Sequence, residues 1–296
     1  MAQTPTGSAR EQFGRQAAVY ARGDVHNVAD TLQPLVDLAR PGRGLRAVDV
    51  GTGAGFAAFE LARHGAHTIA YDPTVPMLQQ ARRLAGERDL LGNGRRGEVS
   101  SPGGVGEGLR FVQGTAEDLA FPDNSLDIYT CRLAAHHFAS LPQTFSEAFR
   151  VLRSGGTAVF LDIAGAPDHG AERWQDEVER LRDPSHQRDY TEAEWVYGLQ
   201  AAGFQVNRVA ALIHQEASMV LWAERSGDPP ETVARLLALF GQAPASAVTA
   251  FNISPLPLGE GSHHSFPLPL GEGQGEGPPD YSFTWPVVLV QAVRPA

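Results

Sequence analysis

Residues 48–55 read Val-Asp-Val-Gly-Thr-Gly-Ala-Gly and are the most informative part of the sequence. An apolar run followed by alternating glycines predicts a buried strand that ends in a tight turn and leads into a helix. Gly51, Gly53 and Gly55 lack a Cβ, so the backbone can turn sharply there and a ligand can approach it closely. Such a turn is typical of a nucleotide site in an α/β sheet.

Two positions near these glycines indicate which nucleotide binds. A dinucleotide-binding turn follows the pattern Gly-x-Gly-x-x-Gly, which needs glycine at position 56, where this chain has Phe56. The negative charge of Asp49 would repel a pyrophosphate and attract an ammonium group. Both features weigh against an NAD-dependent oxidoreductase. A nucleoside with a cationic amino-acid tail fits better, so the sequence predicts S-adenosylmethionine as the cofactor.

Composition limits the class of protein. A chain of 296 residues with 42% hydrophobic residues can bury a sizeable core in one α/β domain. Its 24 basic and 34 acidic residues give a net charge of -10 without a Lys/Arg block, which makes nucleic acid an unlikely partner. The single cysteine, Cys131, excludes an internal disulfide and a CxxC metal site. We expect a cytoplasmic protein with no signal peptide and no membrane span.

Strand and helix patterns alternate after residue 45, which predicts a doubly wound, mostly parallel α/β sheet of seven strands. We expect a helical lid over 1–44, a cofactor-binding core over 45–165, a helical cap over 166–190 and completion of the sheet over 191–296. The predicted strands cover 46–50, 68–71, 110–113, 126–131, 158–163, 204–212 and 286–293. Capping-box patterns at Ser140 and Thr191 predict the starts of two helices.

Two Gly- and Pro-rich stretches interrupt this order. The heptapeptide PLPLGEG occurs at 255–261 and again at 267–273, and residues 101–108 have a similar composition. Two copies are too few for a repeat fold, and neither can bury a core. We predict surface loops, the longer one as a low-complexity insert near 254–279.

Polar residues follow the predicted strands where a cofactor would lie. Asp72, followed by Pro73, ends the second strand 17 residues after Gly55, where a carboxylate can accept hydrogen bonds from ribose hydroxyls. A third segment, 114–122, follows the third strand and would flank the adenine ring. The fourth strand runs into Cys131-Arg-Leu-Ala-Ala-His-His-Phe138, where a catalytic loop is expected.

With these motifs the chain resembles class I S-adenosylmethionine-dependent methyltransferases, in particular the broad group with a type 11 methyltransferase domain that includes the ubiquinone/menaquinone-biosynthesis C-methyltransferases. The resemblance is carried by VDVGTGAG, the Asp72 strand end, GTAEDLAFPDNSLDIYTCR and EAFRVLRSGG, and it covers about residues 45–163. These motifs identify a superfamily. They do not identify a methyl acceptor.

The resemblance implies roles for individual residues. The glycines would pack against the methionyl and ribose parts of the cofactor, Asp49 would lie near the ammonium, Asp72 would bind the ribose, and Thr115 and Ala116 would bracket the adenine. Many relatives have Asp where this chain has Thr115, which predicts a weaker adenine contact. An N-terminal helix with Phe13 and Tyr20 would cover the cofactor or simply pack as a helix. The expected cofactor-binding residues are Asp49, Gly51, Thr52, Gly53, Gly55, Asp72, Pro73, Thr115, Ala116, Glu117, Cys131 and Tyr20.

The catalytic candidates follow the fourth strand. His137 is the favoured general base, with His136 as the second candidate, because imidazole can accept a proton at neutral pH. Arg132 could bind an anionic acceptor or form a structural ion pair, and both histidines could instead pack or cap at a helix entrance. Adjacent histidines lack the spacing of a metal motif, so we predict no metal site.

The predicted activity is transfer of a methyl group to an O, N or C nucleophile of a small molecule, leaving S-adenosylhomocysteine. No Asn-Pro-Pro-Tyr-like tetrapeptide follows the fourth strand, which weighs against methylation of nucleic-acid bases. Two alternatives stay open: a methyltransferase that acts on protein or RNA, and a protein that binds S-adenosylmethionine without catalysis. The sequence does not indicate an oligomeric state.

Overall fold

The computed structural model describes residues 28–91, 108–256 and 279–296, with side chains from residue 31 onward. The predictions for Phe13 and Tyr20 lie outside the described residues. So do those for most of the 101–108 loop and of the low-complexity insert.

The described chain alternates between helices and strands. The helices are α1 (Val28–Ala39), α2 (Phe56–Arg63), α3 (Val75–Glu87), α4 (Leu141–Val151), α5 (His169–Arg182), α6 (Glu192–Ala201), α7 (Met219–Ser226), α8 (Pro230–Gly241) and α9 (Ala245–Ala250). The strands are β1 (Arg46–Val50), β2 (His67–Asp72), β3 (Leu109–Gln113), β4 (Leu126–Arg132), β5 (Leu152–Ile163), β6 (Gln205–Glu216), β7 (Ser254–Pro255) and β8 (Tyr281–Val293). One turn of 3₁₀ helix covers Ala135–His137.

Seven strands form one continuous sheet in the order β3-β2-β1-β4-β5-β8-β6, and the two-residue β7 pairs with β8. Strands β1 to β5 are mutually parallel, while β8 runs antiparallel to both β5 and β6. The prediction of a doubly wound, mostly parallel sheet is therefore confirmed. The strand order reverses between β1 and β4, and in such sheets ligands bind at the carboxyl ends of the strands beside this reversal.

Local sequence accounts for most element boundaries. Ser140 caps α4 by accepting a hydrogen bond from the Gln143 amide at 3.3 Å. Thr191 and Glu194 form a reciprocal capping box at α6, as their spacing predicts. The two strands that flank β1 pair with it in register, with Asp49 opposite Ala70 of β2 and Thr130 of β4.

Strand β5 differs from the prediction because it begins at Leu152, directly after α4. Gly155 and Gly156 lie inside this strand, whereas the predicted strand covers only 158–163. Their backbone groups pair with Arg294 just after β8, and Gly155 has a left-handed φ of 76° that a glycine adopts without strain. The glycines therefore allow an irregular strand start, which is held by backbone hydrogen bonds to Arg294 just after β8.

The hydrophobic core has two large parts. One packs the central strands against α4 and α6, and the other is an aromatic cluster formed by α5, α7, α8, α9 and the first half of β8. Helices α7 and α9 were not predicted, since eight and six residues are too few for a clear helical period. The aromatic cluster contains Trp174, Trp222, Phe240, Phe251, Phe283 and Trp285.

Helix α1 packs on the sheet. Leu35, Val36 and Ala39 are buried in a cluster with residues of β1, β4, β5 and β8. This part of the predicted 1–44 lid thus belongs to a core layer of the domain. Among the described residues, no single helix is long and apolar enough to cross a membrane, and α8 with Ala245–Phe251 passes that test only as a pair bent by 106°.

Candidate functional site

The glycine turn lies at the strand-order reversal. Gly51, Gly53 and Gly55 all have left-handed φ values, of 68°, 52° and 91°. A Cβ on Gly51 would come within 2.5 Å of the Ala134 Cβ, so the turn after β1 touches the loop after β4. A Cβ on Gly53 would meet nothing within 4 Å. The middle glycine therefore faces open space, as a turn that accommodates a ligand requires.

Asp49 holds this turn in place through side-chain hydrogen bonds. Its side chain is buried, and its two carboxylate oxygens accept hydrogen bonds from the hydroxyls of Thr52 at 2.6 Å and Thr130 at 2.8 Å. Burial raises the pKa of Asp49, although the two hydroxyls counteract the rise. The carboxylate thus fixes Thr52 within the turn. The sequence had not singled out Thr130, although a buried threonine opposite Asp49 in the neighbouring strand is the expected partner.

Asp72 joins the end of β2 to the same turn. Its Oδ2 accepts a hydrogen bond from the Gly53 amide at 2.9 Å, and its Oδ1 accepts one from the Thr74 amide at 2.8 Å. Each carboxylate oxygen can still accept a further hydrogen bond, for example from a hydroxyl. Burial raises the pKa of this carboxyl to about 6. Because a pKa of about 6 still lies below neutral pH, Asp72 is ionised at pH 7, and its carboxylate is directed at the turn.

The segment after β3 forms the neighbouring wall. Thr115 and Asp118 form an isolated bridge, and Ala116 is buried. The Glu117 carboxylate accepts hydrogen bonds from the Ala139 and Ser140 amides at 2.8 and 3.4 Å, which ties this segment to the start of α4.

Two further predicted cofactor contacts lie at the ends of strands. The carbonyl of Pro73 accepts a hydrogen bond from the Gln113 side chain of β3 at 3.1 Å. The Cys131 side chain is buried in the main core cluster, and burial raises the pKa of its thiol well above the ordinary value. A thiol in this environment is a packing group with little nucleophilic character.

The two histidines are presented by a strained turn after β4. Leu133 has a left-handed φ of 51°, which is uncommon for a residue with a branched side chain, and its amide donates to the Leu161 carbonyl of β5 at 2.7 Å. The following 3₁₀ turn places His136 beside the end of β5. There its Nδ1 lies 2.6 Å from Oδ1 of Asp162, and its amide donates to Oδ2 at 3.2 Å.

His136 and Asp162 form a buried ion pair. Burial by itself favours the neutral ring, but the charge and hydrogen bond of Asp162 outweigh it and raise the pKa of His136 to about 9. The same contact lowers the pKa of Asp162 despite its burial. His136 is therefore an imidazolium at neutral pH.

His137 is in the opposite state. Its ring centroid lies 4.0 Å from that of His136, and its Nδ1 lies 3.2 Å from the Ser185 hydroxyl. Burial and the neighbouring imidazolium lower the pKa of His137 to about 3. Two adjacent rings in this environment do not both hold a charge, so His137 is neutral.

Residues 183–189, which follow α5, cover this pair of histidines. The His136 carbonyl accepts hydrogen bonds from the Gln187 and Arg188 amides at 2.8 and 3.3 Å. His186 is buried, with its ring centroid 5.7 Å from that of His136, and burial lowers its pKa to about 3. These contacts place the predicted cap region against the loop after β4.

Arg132 points toward the core layer of helix α1. Burial lowers the pKa of Arg132, although the charge of Asp49 counteracts this. The Arg132 Nη1 donates to the Thr31 hydroxyl at 2.9 Å. Such a contact is typical of a structural role, which is one of the two that the sequence left open.

The structure thus brings most of the predicted residues together at the carboxyl ends of β1, β2, β4 and β5. The polar groups that complete the histidine region are Asp162, Asp183, Ser185 and His186. Asp162 ends the predicted strand over 158–163, and this position favours a place in the acceptor pocket from sequence alone, as the position of Asp72 favours the ribose site. In the part of the chain that the structure describes, no group of three or more His, Cys, Asp or Glu side chains is arranged to hold a metal ion.

Comparisons with known proteins agree with this geometry. The family model described as "Methyltransferase domain" matches residues 48–160. The chain is 30% identical over 246 residues to the uncharacterized methyltransferase YcgJ of Bacillus subtilis. The aligned region covers 82% of this chain and 89% of that protein. The ubiquinone/menaquinone biosynthesis C-methyltransferase UbiE of a Ruegeria species is 30% identical over 145 residues, or 48% of this chain and 52% of UbiE.

Two solved structures are also similar. The crystal structure of B. subtilis YcgJ superposes with a TM-score of 0.71 and 27% identity, covering 90% of this chain and 98% of that one. A putative methyltransferase from Bacillus halodurans superposes with a TM-score of 0.72 and 26% identity, covering 90% and 99%. The similarity therefore extends well beyond the motifs around the glycine turn.

Proposed function

Because the chain belongs to the class I S-adenosylmethionine-dependent methyltransferases, we propose that it methylates a small molecule bound beside His137, between the loop after β4 and residues 183–189. One observation carries the choice of a small acceptor. The polar groups at the ends of β4 and β5 are buried, with His136 8% and Asp162 1% exposed. Polar groups shielded from water in this way fit a compact acceptor better than a macromolecular surface, because exclusion of water favours alignment of the reactants.

The glycine turn and Asp72 fit the cofactor. The open space at Gly53 admits a ligand close to the backbone, and the Asp72 carboxylate keeps acceptor capacity for ribose hydroxyls. We assign Gly51, Thr52, Gly53 and Gly55 to the methionyl and ribose side, supported by Asp49. Asp72 and Pro73 are assigned to the ribose, and Thr115, Ala116 and Glu117 to the adenine. When bound, S-adenosylmethionine supplies an electrophilic methyl carbon on a sulfonium.

The two histidines have different tasks in this proposal. His137 is neutral and can accept a hydrogen bond from the acceptor; when the acceptor gains its methyl group and becomes acidic, His137 relays the proton to solvent and does not keep it, because the neighbouring imidazolium holds its pKa low. His136 is held in place by its ion pair with Asp162. Arg132 is assigned to the structure of the site, because its hydrogen bond to Thr31 engages α1.

Acceptor size is the first property to test. Purified protein is mixed with S-adenosylmethionine and with lysate of the source organism separated by size, and release of S-adenosylhomocysteine is measured. The proposal expects product with the low-molecular-weight fraction. Product with only the macromolecular fraction would favour a protein or RNA methyltransferase. Tight cofactor binding without product in any fraction would favour a non-catalytic binding protein.

Replacing His137 with alanine is expected to lower turnover by roughly 10²- to 10⁴-fold, the usual contribution of a positioned acid or base. Affinity for S-adenosylhomocysteine should stay unchanged, because His137 lies on the acceptor side. Since the pKa of His137 is lowered to about 3, the wild-type rate should show no loss from protonation of this ring between pH 7 and pH 5. His169→Ala, which removes a 91% exposed imidazole, is the matched control. A fully active His137→Ala variant would remove the assigned role.

A further inference from the structure

Ser185 and Asp183 contact His137 from the segment that follows α5, and their hydrogen bonds have a defined direction. The Ser185 hydroxyl lies 2.5 Å from Oδ1 of Asp183 and 3.2 Å from Nδ1 of His137. An ionised carboxylate can only accept, so the hydroxyl must donate its one hydrogen to Asp183. The Ser185 oxygen is then an acceptor toward His137.

The Asp183 carboxylate is itself well fixed. Its Oδ1 also accepts a hydrogen bond from the Ser185 amide at 2.8 Å, and its side chain is only 9% exposed. Its Oδ2 lies 3.7 Å from Nε2 of His137, which is beyond hydrogen-bond distance. The short contact in this group is therefore the one between Ser185 and Asp183.

We propose that Ser185, held by Asp183, is a positioning residue that fixes the neutral imidazole of His137 in the tautomer with hydrogen on Nδ1. In that tautomer Nε2 carries the lone pair. A neutral histidine donates from one ring nitrogen and accepts at the other, so a partner at Nδ1 decides the function of Nε2. The lowered pKa of His137 supports a neutral ring.

This inference rests on the proposed function and narrows its acceptor class. A group that binds Nε2 in this tautomer must be a hydrogen-bond donor. The favoured acceptor therefore carries an O–H, S–H or N–H hydrogen, as a phenol, thiol or primary or secondary amine does. A tertiary amine or a carbon nucleophile without such a group would gain nothing from this arrangement.

The tautomer can be measured without knowing the acceptor. Full-length protein with ¹⁵N-labelled histidine is saturated with S-adenosylhomocysteine at pH 7, and long-range ¹H–¹⁵N correlations are recorded, with His137→Gln providing the assignment. The expected wild-type spectrum shows a pyrrole-type Nδ1 and a pyridine-type Nε2 for His137. Ser185→Ala should lose this pattern and shift both signals toward a mixture of tautomers. Ser185→Thr should restore it, because it keeps a hydroxyl.

Other results contradict the inference. A wild-type ring protonated on Nε2, or on both nitrogens, overturns it, and so does a Ser185→Ala spectrum that matches the wild type. Ser146→Ala on α4 is the control for loss of a serine hydroxyl that bonds only to a backbone carbonyl within its own helix. Affinity for S-adenosylhomocysteine checks that each variant is folded. If Ser185→Ala fails this check, Ser185→Cys takes its place, because a thiol keeps the volume but is only a weak acceptor. The same loss of the wild-type tautomer pattern is then expected.

The two proposals can fail separately. If the tautomer depends on Ser185 but His137→Ala is fully active, the positioning of the ring stands and its role in turnover is lost. If His137→Ala is inactive but the tautomer is unaffected by Ser185, the proposed function stands and the positioning role is lost.

Discussion

Replacing Asp72 with alanine is expected to lower the affinity for S-adenosylhomocysteine by about 10- to 150-fold for each hydrogen bond lost. A hydrogen bond to a charged group contributes about 1.5–3 kcal/mol, and a buried carboxylate at a strand end can bind both ribose hydroxyls. The variant also removes the two contacts through which Asp72 holds the amides of Gly53 and Thr74. The turn itself should therefore become less ordered, which adds to the loss.

Isothermal titration calorimetry measures this effect directly. The affinity loss has two sources, the lost ribose hydrogen bonds and the less ordered turn. The Asp72→Asn variant helps to separate them, because the amide keeps the size of the side chain but places an N–H donor against one of the two backbone amides. Asp37→Ala removes an exposed carboxylate of α1 and should leave the affinity unchanged. If Asp72→Ala binds as tightly as the wild type, the ribose assignment is wrong.

The affinity should also depend on pH in a defined direction. Burial raises the pKa of Asp72 to about 6 in the ligand-free protein. Hydrogen bonds from ribose hydroxyls favour the ionised carboxylate, so binding should weaken as the pH falls from 7 to 5 and Asp72 takes up a proton. The Asp72→Asn variant should lose this dependence, which the same titrations at several pH values will show.

The cofactor side of the site could be predicted from sequence because local rules determine it. A strand, three glycines and a strand-end carboxylate occupy short stretches whose geometry follows from backbone sterics and sheet topology. The positive φ values at Gly51, Gly53 and Gly55 agree with that expectation. The expected seven strands also appear in one continuous sheet.

The acceptor side could be predicted only in part, because its contacts join segments that are distant in the chain. His136 meets Asp162 at a separation of 26 residues, and His137 meets Ser185 at a separation of 48. The sequence suggested both histidines and a cap over 166–190, but the charge on each ring depends on these contacts. The charge of an imidazole near pH 7 changes with a single neighbour, so one charged and one neutral ring follow from the three-dimensional contacts and not from the sequence.

The Asp162→Asn variant should lose about 3–5 kcal/mol of stability at pH 7, because removing one partner of a buried ion pair leaves the other charge without compensation. The stabilisation from His136 is fully present below its unfolded-state pKa near 6.5 and is lost as the pH rises through about 9. The stabilisation from Asp162, whose pKa is lowered, is present above its ordinary value and lost as the pH falls. The difference between wild type and variant should therefore be largest near pH 5 to 6.5 and shrink toward pH 10.

Urea unfolding at pH 6, 8 and 10 tests this dependence, and a double-mutant cycle with His136→Gln isolates the pair from the other hydrogen bonds of Asp162. Asp123→Asn is the matched control. Its ion pair with Arg150 involves a carboxylate that is 67% exposed, so the cost should stay within about 1 kcal/mol and vary little with pH. A stability difference between wild type and Asp162→Asn that is constant from pH 6 to pH 10 would show that His136 is not the charged ring. The imidazolium that helps to lower the pKa of His137 would then be missing, and the assignment of one charged and one neutral ring would be wrong.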